Sequence, residues 1–404
     1  MNISVVNHKS LDSIDGGTTR VRSIVQGLAN HGHRVWYSCY GEDNHTSRGP
    51  NFSAVTIRKP DLSVLRRLAR HAYGGVEGEA AVKILACNHP IAALRLRSIL
   101  STSNVVQIEQ IWSALYPLLC AKVLGKTCLL DDHNVEALFA ARLYHHVSNK
   151  RLFAAWVTYV SMLERACCAL ADTIVVTSEL DKQNLCKLQS VREKKVRVIP
   201  NGTDLAKYKP DPTLALVTRR SLGLSSDDPV LTFVGRSSYP PNKLALDYIK
   251  NDLCPAVWEK HPRARFLVVS RELPCEFLDR SDPRLIAVSD TADYPFINAA
   301  NLCLAPLSVG GGTRIKILNY MACAKTVVST PIGIEGISAS QDREVIITPL
   351  ECFANQVNNL LDDPAKLEGI GRRAREFVER GHSWEDSIAM FEGLYSQLIA
   401  RNGE

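Results

Sequence analysis

The chain has 404 residues, enough for two domains that each bury a core of their own. Apolar residues make up 46% and charged residues 22%, an ordinary globular composition that excludes a disordered or membrane-embedded chain. The formal net charge of +6 is small and the basic residues are scattered, so composition gives no support to a nucleic-acid partner.

The sequence predicts a cytoplasmic protein. Twelve cysteines are present, but no two are spaced as C-x-x-C, and several lie inside apolar runs. That pattern favours reduced core thiols over a disulfide framework. The first residues, Met1–Val6, are typical of a strand and lack the basic start and long apolar stretch of a signal peptide.

Short apolar, β-branched runs alternate with stretches of helical period in the first half of the chain, as in parallel sheets with crossover helices. The main helices are predicted at Thr18–Asn30 and Arg151–Ala171. The predicted strands are Asn2–Val6, Arg34–Cys39, Ala54–Arg58, Val82–Ala86, Val105–Ile108, Thr127–Asp131, Thr173–Thr177 and Val196–Ile199.

A polar segment, Pro200–Pro212, is predicted as a linker, and the alternation restarts after it. The second set of strands is Val230–Val234, Arg265–Val269, Leu285–Val288, Leu302–Ala305, Thr326–Ser329 and Val345–Ile347. The second set of helices is Leu244–Lys260, Arg314–Ala324, Leu350–Leu361, Pro364–Arg380 and Trp384–Ala400. The pattern predicts an α/β protein with two doubly wound, Rossmann-like domains, and a site in the cleft between them at the strands' carboxyl ends.

The first candidate loop holds Gly16 and Gly17, between the first strand and the first helix. Two glycines let the backbone approach a ligand and expose N–H groups at a helix N-terminus, where negative charge is stabilised. A plain tight turn is the alternative, and the G-x-G-x-x-G fingerprint of a dinucleotide fold is absent.

The second candidate loop is Asp131–Glu136, a polar cluster directly after an apolar run. His133 is placed to donate a hydrogen bond to a substrate hydroxyl or leaving-group oxygen, and the neighbouring acids would set its tautomer. In the alternative interpretation, Asp131, Asp132 and Asn134 merely cap the next helix.

The third candidate loop opens the second half, directly after the strand Val230–Val234. Arg236 and Lys243 are positioned to reach a common anion from this one loop, Arg as a fork and Lys as a point charge. Surface solvation is the alternative for Lys243.

The fourth candidate loop carries the strongest signal. The run Gly310–Gly312 offers a nest of backbone N–H donors before a helix, and Thr313 is predicted to cap that helix. Arg314 and Lys316 add two cations within its first turn, which the helix dipole disfavours unless an anion lies between them. The segment therefore predicts a bound diphosphate.

Taken together, the motifs resemble those of the GT-B fold glycosyltransferases of the large retaining family called group 1 or family 4. The similarity covers nearly the whole chain. The matching segments are Gly16-Gly17, His31–Val35, Asp132–Glu136, Ala171–Glu179, Val198–Asp204, Val234-Gly235-Arg236 and Gly310–Leu318.

The resemblance implies a nucleotide-sugar site. Gly16 and Gly17 would lie against the donor diphosphate or the acceptor, and His133 would contact the transferred sugar. Arg236, with Lys243 or a neighbour, would neutralise the phosphates.

Lys316 and the backbone of residues 310–313 would assist that neutralisation, and Arg314 belongs to the same predicted donor-binding set. The family often carries two Glu separated by seven residues, and those positions are Gly311 and Asn319 here. A glycine version of the first occurs in similar sequences. Asn319 can still hydrogen-bond a ribose hydroxyl, but it lacks the charge of Glu.

The domains implied are an acceptor-binding domain at residues 1–205, a nucleotide-sugar donor domain at 206–383, and a helix at 384–404 that crosses back to the first domain. The predicted partners are a nucleotide sugar and a glycan or lipid-linked acceptor, in polysaccharide biosynthesis. The basic group of Arg236, Lys316 and the glycine run would stabilise the leaving diphosphate, so we expect no metal and no cofactor. No paired carboxylate nucleophile stands out, so we expect same-face transfer of the sugar to a hydroxyl, with the retained anomeric configuration of the family that the chain resembles.

Two alternatives stay open: a catalytically weak or silent binding protein, suggested by Asn319, and a nucleotide-sugar epimerase on the same fold. Arg66, Arg67 and Arg70, interleaved with leucines, would form a basic amphipathic face for a peripheral membrane contact on the inner face. A solvated helix face is the alternative interpretation of these arginines.

Overall fold

The computed structural model describes residues 1–13, 15–42, 44–58, 90–143, 150–273, 277, 282–289 and 292–402. The chain divides into two compact units. The first contains Met1–Pro200, Gly311–Thr313 and the chain from Trp384 onward, and the second contains Asn201–Gly310 and Arg314–Ser383. Residues 201–205, assigned from sequence to the first domain, thus lie in the second unit.

A parallel sheet forms the centre of the first unit. Its described strands run in the order β3-β4-β2-β1-β5-β6-β7-β8, and β3 alone among them pairs antiparallel, with β4. The strands are β1 Asn2–Val6, β2 Arg34–Gly41, β3 His45–Arg48, β4 Phe52–Arg58, β5 Val105–Glu109, β6 Thr127–Asp132, β7 Thr173–Val176 and β8 Val196–Val198.

Helices connect these strands. They are α1 Gly16–Asn30, α2 Pro90–Ser101, α3 Leu115–Val123, α4 Glu136–Leu143, α5 Lys150–Leu170 and α6 Glu179–Gln189. The last helix of the chain, α15 Trp384–Asn402, packs on α1 within this unit. Since β1 and β5–β7 are almost wholly buried, their apolar runs supply the core that the crossover helices cover.

The second unit is also a doubly wound α/β structure. Its strands are all parallel in the order β11-β10-β9-β12-β13-β14 among the described residues. They are β9 Val230–Val234, β10 Arg265–Val269, β11 Leu285–Val288, β12 Leu302–Ala305, β13 Thr326–Ser329 and β14 Ile346–Ile347.

The helices of the second unit are α7 Pro212–Ser221, α8 Pro240–Tyr248, α9 Cys254–Lys260, α10 Tyr294–Ala299, α11 Ile315–Ala322, α12 Pro331–Ile334, α13 Leu350–Leu361 and α14 Pro364–Glu379. The sequence predicted one helix over Leu244–Lys260. A π-helical turn, Ile249–Leu253, separates α8 from α9, and the second residue of α9 is Pro255, which has no N–H to donate.

Some predicted features fall outside the described residues: the strand Val82–Ala86, and the arginines Arg66, Arg67 and Arg70 of the membrane hypothesis. No described helix combines the length and apolarity needed to cross a membrane. Cys39, Cys128, Cys303 and Cys323 are buried free thiols, as their apolar surroundings in the sequence predicted.

Candidate functional site

The glycine pair of the first unit opens α1. Asp15 is the N-cap residue, and its carboxylate accepts a hydrogen bond from the Thr18 N–H at 3.0 Å. Gly17 is tightly enclosed: an added Cβ would lie 3.3 Å from both the Asp15 Oδ1 and the His133 Nδ1. The structure therefore brings together two of the sequence candidates, Gly17 and His133.

His133 follows the carboxyl end of β6 and is 6% exposed. Its Nε2 lies 2.7 Å from Glu109 Oε2 and 3.7 Å from Asp131 Oδ2. Its Nδ1 is buried and has no hydrogen-bond partner among the described residues. This nitrogen faces Gly17, so a ligand at the start of α1 would find a polar atom with unused hydrogen-bonding capacity.

Two carboxylates control the charge of that imidazole. Burial alone would lower the pKa of His133, but hydrogen bonds and charges from Asp131 and Glu109 outweigh it and raise the pKa to about 9. The ring is therefore an imidazolium at neutral pH, with Nδ1–H as a donor. Such a donor suits an oxygen that carries or gains negative charge.

Arg20 holds Asp131 in place. The Arg20 Nε and Nη2 donate to the two oxygens of Asp131 at 2.9 and 3.1 Å, and both side chains are fully buried. Burial raises the pKa of Asp131, but Arg20 and His133 outweigh that effect and lower it. Burial, followed by the charge of Asp131, raises the pKa of Glu109.

Donor atoms of Glu109, Asp131 and His133 lie within 4.8 Å of one another, a spacing compatible with a metal ion. The chemistry of the set does not fit one. Arg20 already neutralises Asp131 through both oxygens, and His133 is protonated at Nε2 to satisfy Glu109.

The glycine-rich segment at residues 311–313 belongs to the first unit. Gly312 has a left-handed φ of 64°, and an added Cβ would lie 2.2 Å from Asn134 Oδ1 and 2.4 Å from the His133 carbonyl oxygen. Gly311 packs against Phe139. Only glycine fits at position 312 without moving the backbone next to His133.

The prediction that Thr313 caps the following helix was wrong. Helix α11 begins at Ile315 with Arg314 as its N-cap residue, and the Thr313 hydroxyl instead donates to the Thr177 hydroxyl at 3.0 Å. The Arg314 guanidinium lies against Gly310, where a Cβ would meet Nη2 at 2.1 Å, and it donates to the Ile332 carbonyl. Gly310 and Arg314 are thus adjacent in the second unit.

The loop after β9 carries two exposed cations. Within the part of the chain that the structure describes, neither the Arg236 nor the Lys243 side chain forms a hydrogen bond or ion pair. The loop is fixed by Asn242, whose amide donates to the Arg236 carbonyl at 2.9 Å and packs on Gly235. Both cations are therefore available to an anion.

Lys316 lies under the same loop. Its ammonium donates to Asn242 Oδ1 at 2.7 Å and lies 4.2 Å from the centroid of the Phe233 ring. Burial, and then the charge of Arg314, lowers the pKa of Lys316 to about 7. No carboxylate among the described residues pairs with this ammonium, so it too lacks an anionic partner.

Asn319, on α11, is 8% exposed, and its Oδ1 accepts a hydrogen bond from the Thr203 hydroxyl at 2.8 Å. The position at which the family often has Glu is thus occupied by a neutral acceptor with a neutral partner. A carboxylate at this position would keep the Thr203 donor but lose hydration.

Sequence reasoning missed three residues that build these arrangements: Arg20, Glu109 and Asn242. Glu109 ends β5 and pairs in register with Asp131 on β6, so sheet order together with polarity at strand ends could have pointed to it. Asn242 lies between Arg236 and Lys243 in the predicted loop. Nothing local marks Arg20 as the partner of Asp131.

Two family models match the chain. "Glycosyltransferase Family 4" covers residues 14–207 and "Glycosyl transferases group 1" covers residues 228–363, so that together they include most of the chain and nearly all the candidate residues. The chain belongs to the group 1, family 4 glycosyltransferases.

Curated relatives of this glycosyltransferase-family chain are distant. D-inositol 3-phosphate glycosyltransferase of Kineococcus radiotolerans is 27% identical over 261 residues, which cover 57% of this chain and 58% of that protein. An uncharacterized 44.6 kDa protein in the cps region of Klebsiella pneumoniae is 24% identical over 176 residues, or 41% and 45% of the two chains. The chain thus spans less than two thirds of the length of these relatives.

Solved structures share the fold over the full length. Sucrose-phosphate synthase from Thermosynechococcus elongatus has a TM-score of 0.77 at 18% identity, with 99% of each chain covered. Anabaena HepE in complex with UDP-glucose has a TM-score of 0.72 at 14% identity, covering 98% of this chain and 100% of that one. These similarities confirm the α/β, GT-B fold class predicted from the sequence.

Proposed function

We propose that this protein is a glycosyltransferase that moves a sugar from a nucleotide-diphosphate sugar to an acceptor hydroxyl, with retained anomeric configuration and without a metal. One observation carries the proposal: Arg236, Lys243 and Lys316 cluster around the loop after β9, and none of the three has an acidic partner among the described residues. Cations without counterions at the carboxyl end of a parallel strand favour an anionic ligand.

The reaction places negative charge on the leaving diphosphate. Arg236 and Lys243 would bind its oxygens directly, and Lys316, held by Asn242, would add a cation whose charge is restored when the anion arrives. The backbone at residues 310–313 and Arg314 complete the proposed donor-binding set. Such preorganised cations stabilise departure of the diphosphate without a divalent ion.

His133 would bind the transferred sugar. Its buried Nδ1–H, next to Gly16–Gly17, would donate to a sugar hydroxyl or to an oxygen of the leaving group. The carboxylates nearest to it are engaged: Glu109 by His133 itself, and Asp131 by Arg20. Neither is free to act as the nucleophile of a double displacement, so of the two routes to retention these residues support same-face transfer.

Thermal stabilisation tests the donor assignment. UDP, GDP, ADP, dTDP and their sugars would each be added at about one hundred times the dissociation constant, where a true ligand adds about 2.7 kcal/mol. We expect nucleotides of one base to stabilise the protein selectively. Lys316→Ala should lose this stabilisation. The control Lys325→Arg should retain it, because it keeps a positive charge at a lysine that donates to the Asn298 and Ala300 carbonyls. No stabilisation by any nucleotide would contradict the proposal.

Configuration and metal dependence have their own tests. Proton NMR can follow the slow hydrolysis of the donor. The sugar first released should have the same anomeric configuration as the sugar in the donor. Chelation by EDTA should leave the rate unchanged. Release of the opposite anomer, or loss of activity on chelation, would overturn that part of the proposal.

The acceptor is proposed to be a glycan or a lipid-linked saccharide, met in the cytoplasm at or near the inner face of the membrane. The names of the inositol phosphate relatives add a phosphorylated polyol to the acceptors worth testing. Co-sedimentation with anionic liposomes that is unaffected by alanine at Arg66, Arg67 and Arg70 would exclude the membrane contact assigned to them.

Asn319 supports a second candidate, a binding protein with weak or no catalysis. If no nucleotide binds to the native chain but Asn319→Glu restores binding, the donor site has lost its function while the fold is kept. If the native chain binds and turns over a donor, this second candidate is excluded.

A further inference from the structure

A continuous line of hydrogen bonds joins the last helix to His133. The Tyr395 hydroxyl, on α15, donates to Gln107 Oε1, and Gln107 Nε2 donates to Glu109 Oε1 at 2.5 Å. Glu109 Oε2 then accepts from His133 Nε2 at 2.7 Å. Tyr395, Gln107 and Glu109 are 0% exposed.

The directions of these bonds are fixed by the groups at the two ends. The Tyr395 hydroxyl donates its hydrogen bond to the amide oxygen of Gln107. The amide N–H₂ of Gln107 is therefore directed toward Glu109. Glu109, with one oxygen held, presents the other to His133 Nε2. The imidazole therefore has Nε2 directed into the protein and Nδ1 toward Gly17.

The same helix also packs behind the second acid of the site. The Phe391 ring lies 5.4 Å from the Arg20 guanidinium carbon, and Arg20 holds Asp131. Ile388 packs so closely on α1 that a Cβ on Gly27 would lie 2.1 Å from it. Helix α15 thus supports both carboxylates beside His133, although it begins more than 250 residues after the histidine.

We propose that Glu109 is a positioning residue for His133, and that the C-terminal helix holds it in place through Tyr395 and Gln107. The inference rests on the proposed function only in assigning His133 to the sugar. Its own claim concerns the orientation and charge of the imidazole. A helix that merely covered the sheet would need apolar contacts, not a buried chain of matched donors and acceptors.

The groups that face His133 set the expected direction of change. They are Glu109 from β5, Asp131 from β6 and Glu136 from α4, with Arg20 of α1 and its N-cap residue Asp15 close by. Glu109 and Asp131 raise the pKa of His133. Loss of the Glu109 charge must therefore lower it, and loss of the Gln107 donor, which favours the charged Glu109, must lower it by less.

The test is an NMR titration of the ligand-free, full-length protein with ¹⁵N-labelled histidine, the His133 signals being assigned by their loss in His133→Gln. The pKa of His133 is compared in the native chain, Glu109→Gln and Tyr395→Phe. We expect it to fall by about one unit or more in Glu109→Gln and by less in Tyr395→Phe. The ring shifts should also report loss of the Nε2–H to carboxylate bond in Glu109→Gln.

Tyr248→Phe is the matched control, because its hydroxyl donates to the Leu350 carbonyl in the second unit. It should leave the His133 titration unchanged. If Glu109→Gln fails to fold, the His133 pKa in Tyr395→Phe, which keeps the aromatic ring, still tests the proposal. An unchanged His133 pKa in both site variants, with only the melting temperature lowered, would overturn the proposal. A shift in Glu109→Gln alone would overturn the part assigned to Tyr395.

Nucleotide binding by the same variants separates this inference from the proposed function. The titration needs no ligand, so a native chain that binds no nucleotide would defeat the proposed function and leave the pKa result standing. If donor turnover is found, its alkaline limb should move to lower pH in Glu109→Gln. A purely structural defect would lower the rate evenly across the pH range.

Discussion

Arg20 binds Asp131 through two hydrogen bonds, from Nε and Nη2, with both side chains fully buried. Arg20 lies on α1, whose first residues are the glycine pair, and Asp131 is the penultimate residue of β6 and the first residue of the candidate loop Asp131–Glu136. Arg20 also donates to the carbonyls of Ile199 and Pro200. One guanidinium therefore connects the helix of the glycine pair, the strand that precedes His133 and the segment Ile199–Pro200.

Breaking this pair from one side should be costly. We expect Arg20→Leu to lose about 3–5 kcal/mol of unfolding free energy, because Asp131 would remain as a buried charge without its partner. The double variant Arg20→Leu, Asp131→Leu should lose less than the single one, since the uncompensated charge is gone. Calorimetry of the first-unit transition measures both. Equal losses in the two variants would mean that packing, rather than charge, dominates.

Gly312→Ala should be more harmful than an ordinary glycine substitution. The left-handed φ costs about 1–2 kcal/mol for alanine, and the new methyl group would also meet the His133 carbonyl at 2.4 Å. Gly223→Ala is the matched control, with a φ of 68° and no atom within 4 Å of the added Cβ. Melting temperatures should fall further for Gly312→Ala, and nucleotide-sugar binding should weaken in that variant alone.

Lys316 should take up a proton when a nucleotide diphosphate binds. Its pKa is lowered to about 7 by burial and by Arg314, so most Lys316 side chains are neutral amines at pH 8 in the free protein. An anion beside it restores the charge. Titration calorimetry at pH 8 in buffers of different ionisation enthalpy should report uptake of about one proton per nucleotide, and affinity should fall as the pH rises from 7 to 9.

Two variants test the assignment of this proton to Lys316. Lys316→Met should abolish the uptake, and Asn242→Asp should also do so, because a carboxylate in contact with the ammonium keeps it charged beforehand. Lys243→Met, at an exposed lysine of the same loop, should bind more weakly but keep the uptake. A binding heat that does not depend on the buffer would refute the prediction.

The apolar strands were predictable because they alternate sharply with polar turns. The bounds of β9 to β13 agree with those predicted, while β3, His45–Arg48, was missed because it is a polar, wholly exposed edge strand. The loop glycines and loop cations were selected as candidates from an equally local feature, their position in the loops that follow apolar strands. Their partners were not, because Arg20 lies 111 residues from Asp131, and Tyr395 lies 288 residues from Gln107. Only the fold brings such polar pairs together.

A buried group of acids lies behind the His133 loop. Glu164 Oε1 accepts from the Glu136 N–H at 2.6 Å and Oε2 accepts from Gln189 Nε2 at 2.6 Å. Burial, with the charge of Glu136 adding to it, raises the pKa of Glu164 to about 7. Burial and neighbouring acids also raise the pKa of Asp132, whose two oxygens have no hydrogen-bond partner among the described residues.

The Glu164 carboxyl should make stability fall as the pH rises from about 4.5 to about 7. Its folded pKa lies above its unfolded one, so the native state binds more protons across that window, and the cost of ionisation reaches roughly 3–4 kcal/mol at pH values above it. Glu164→Gln should remove that slope. The unpaired Gln189 Oε1 is available to accept from the new amide. Urea unfolding measures both proteins at pH 5 and pH 8. The free energy of unfolding of Glu164→Gln, relative to that of the native chain, should be higher at pH 8 than at pH 5. Glu351→Gln, at an exposed acid, should keep the native slope, and parallel curves for Glu164→Gln and the native chain would refute the assignment.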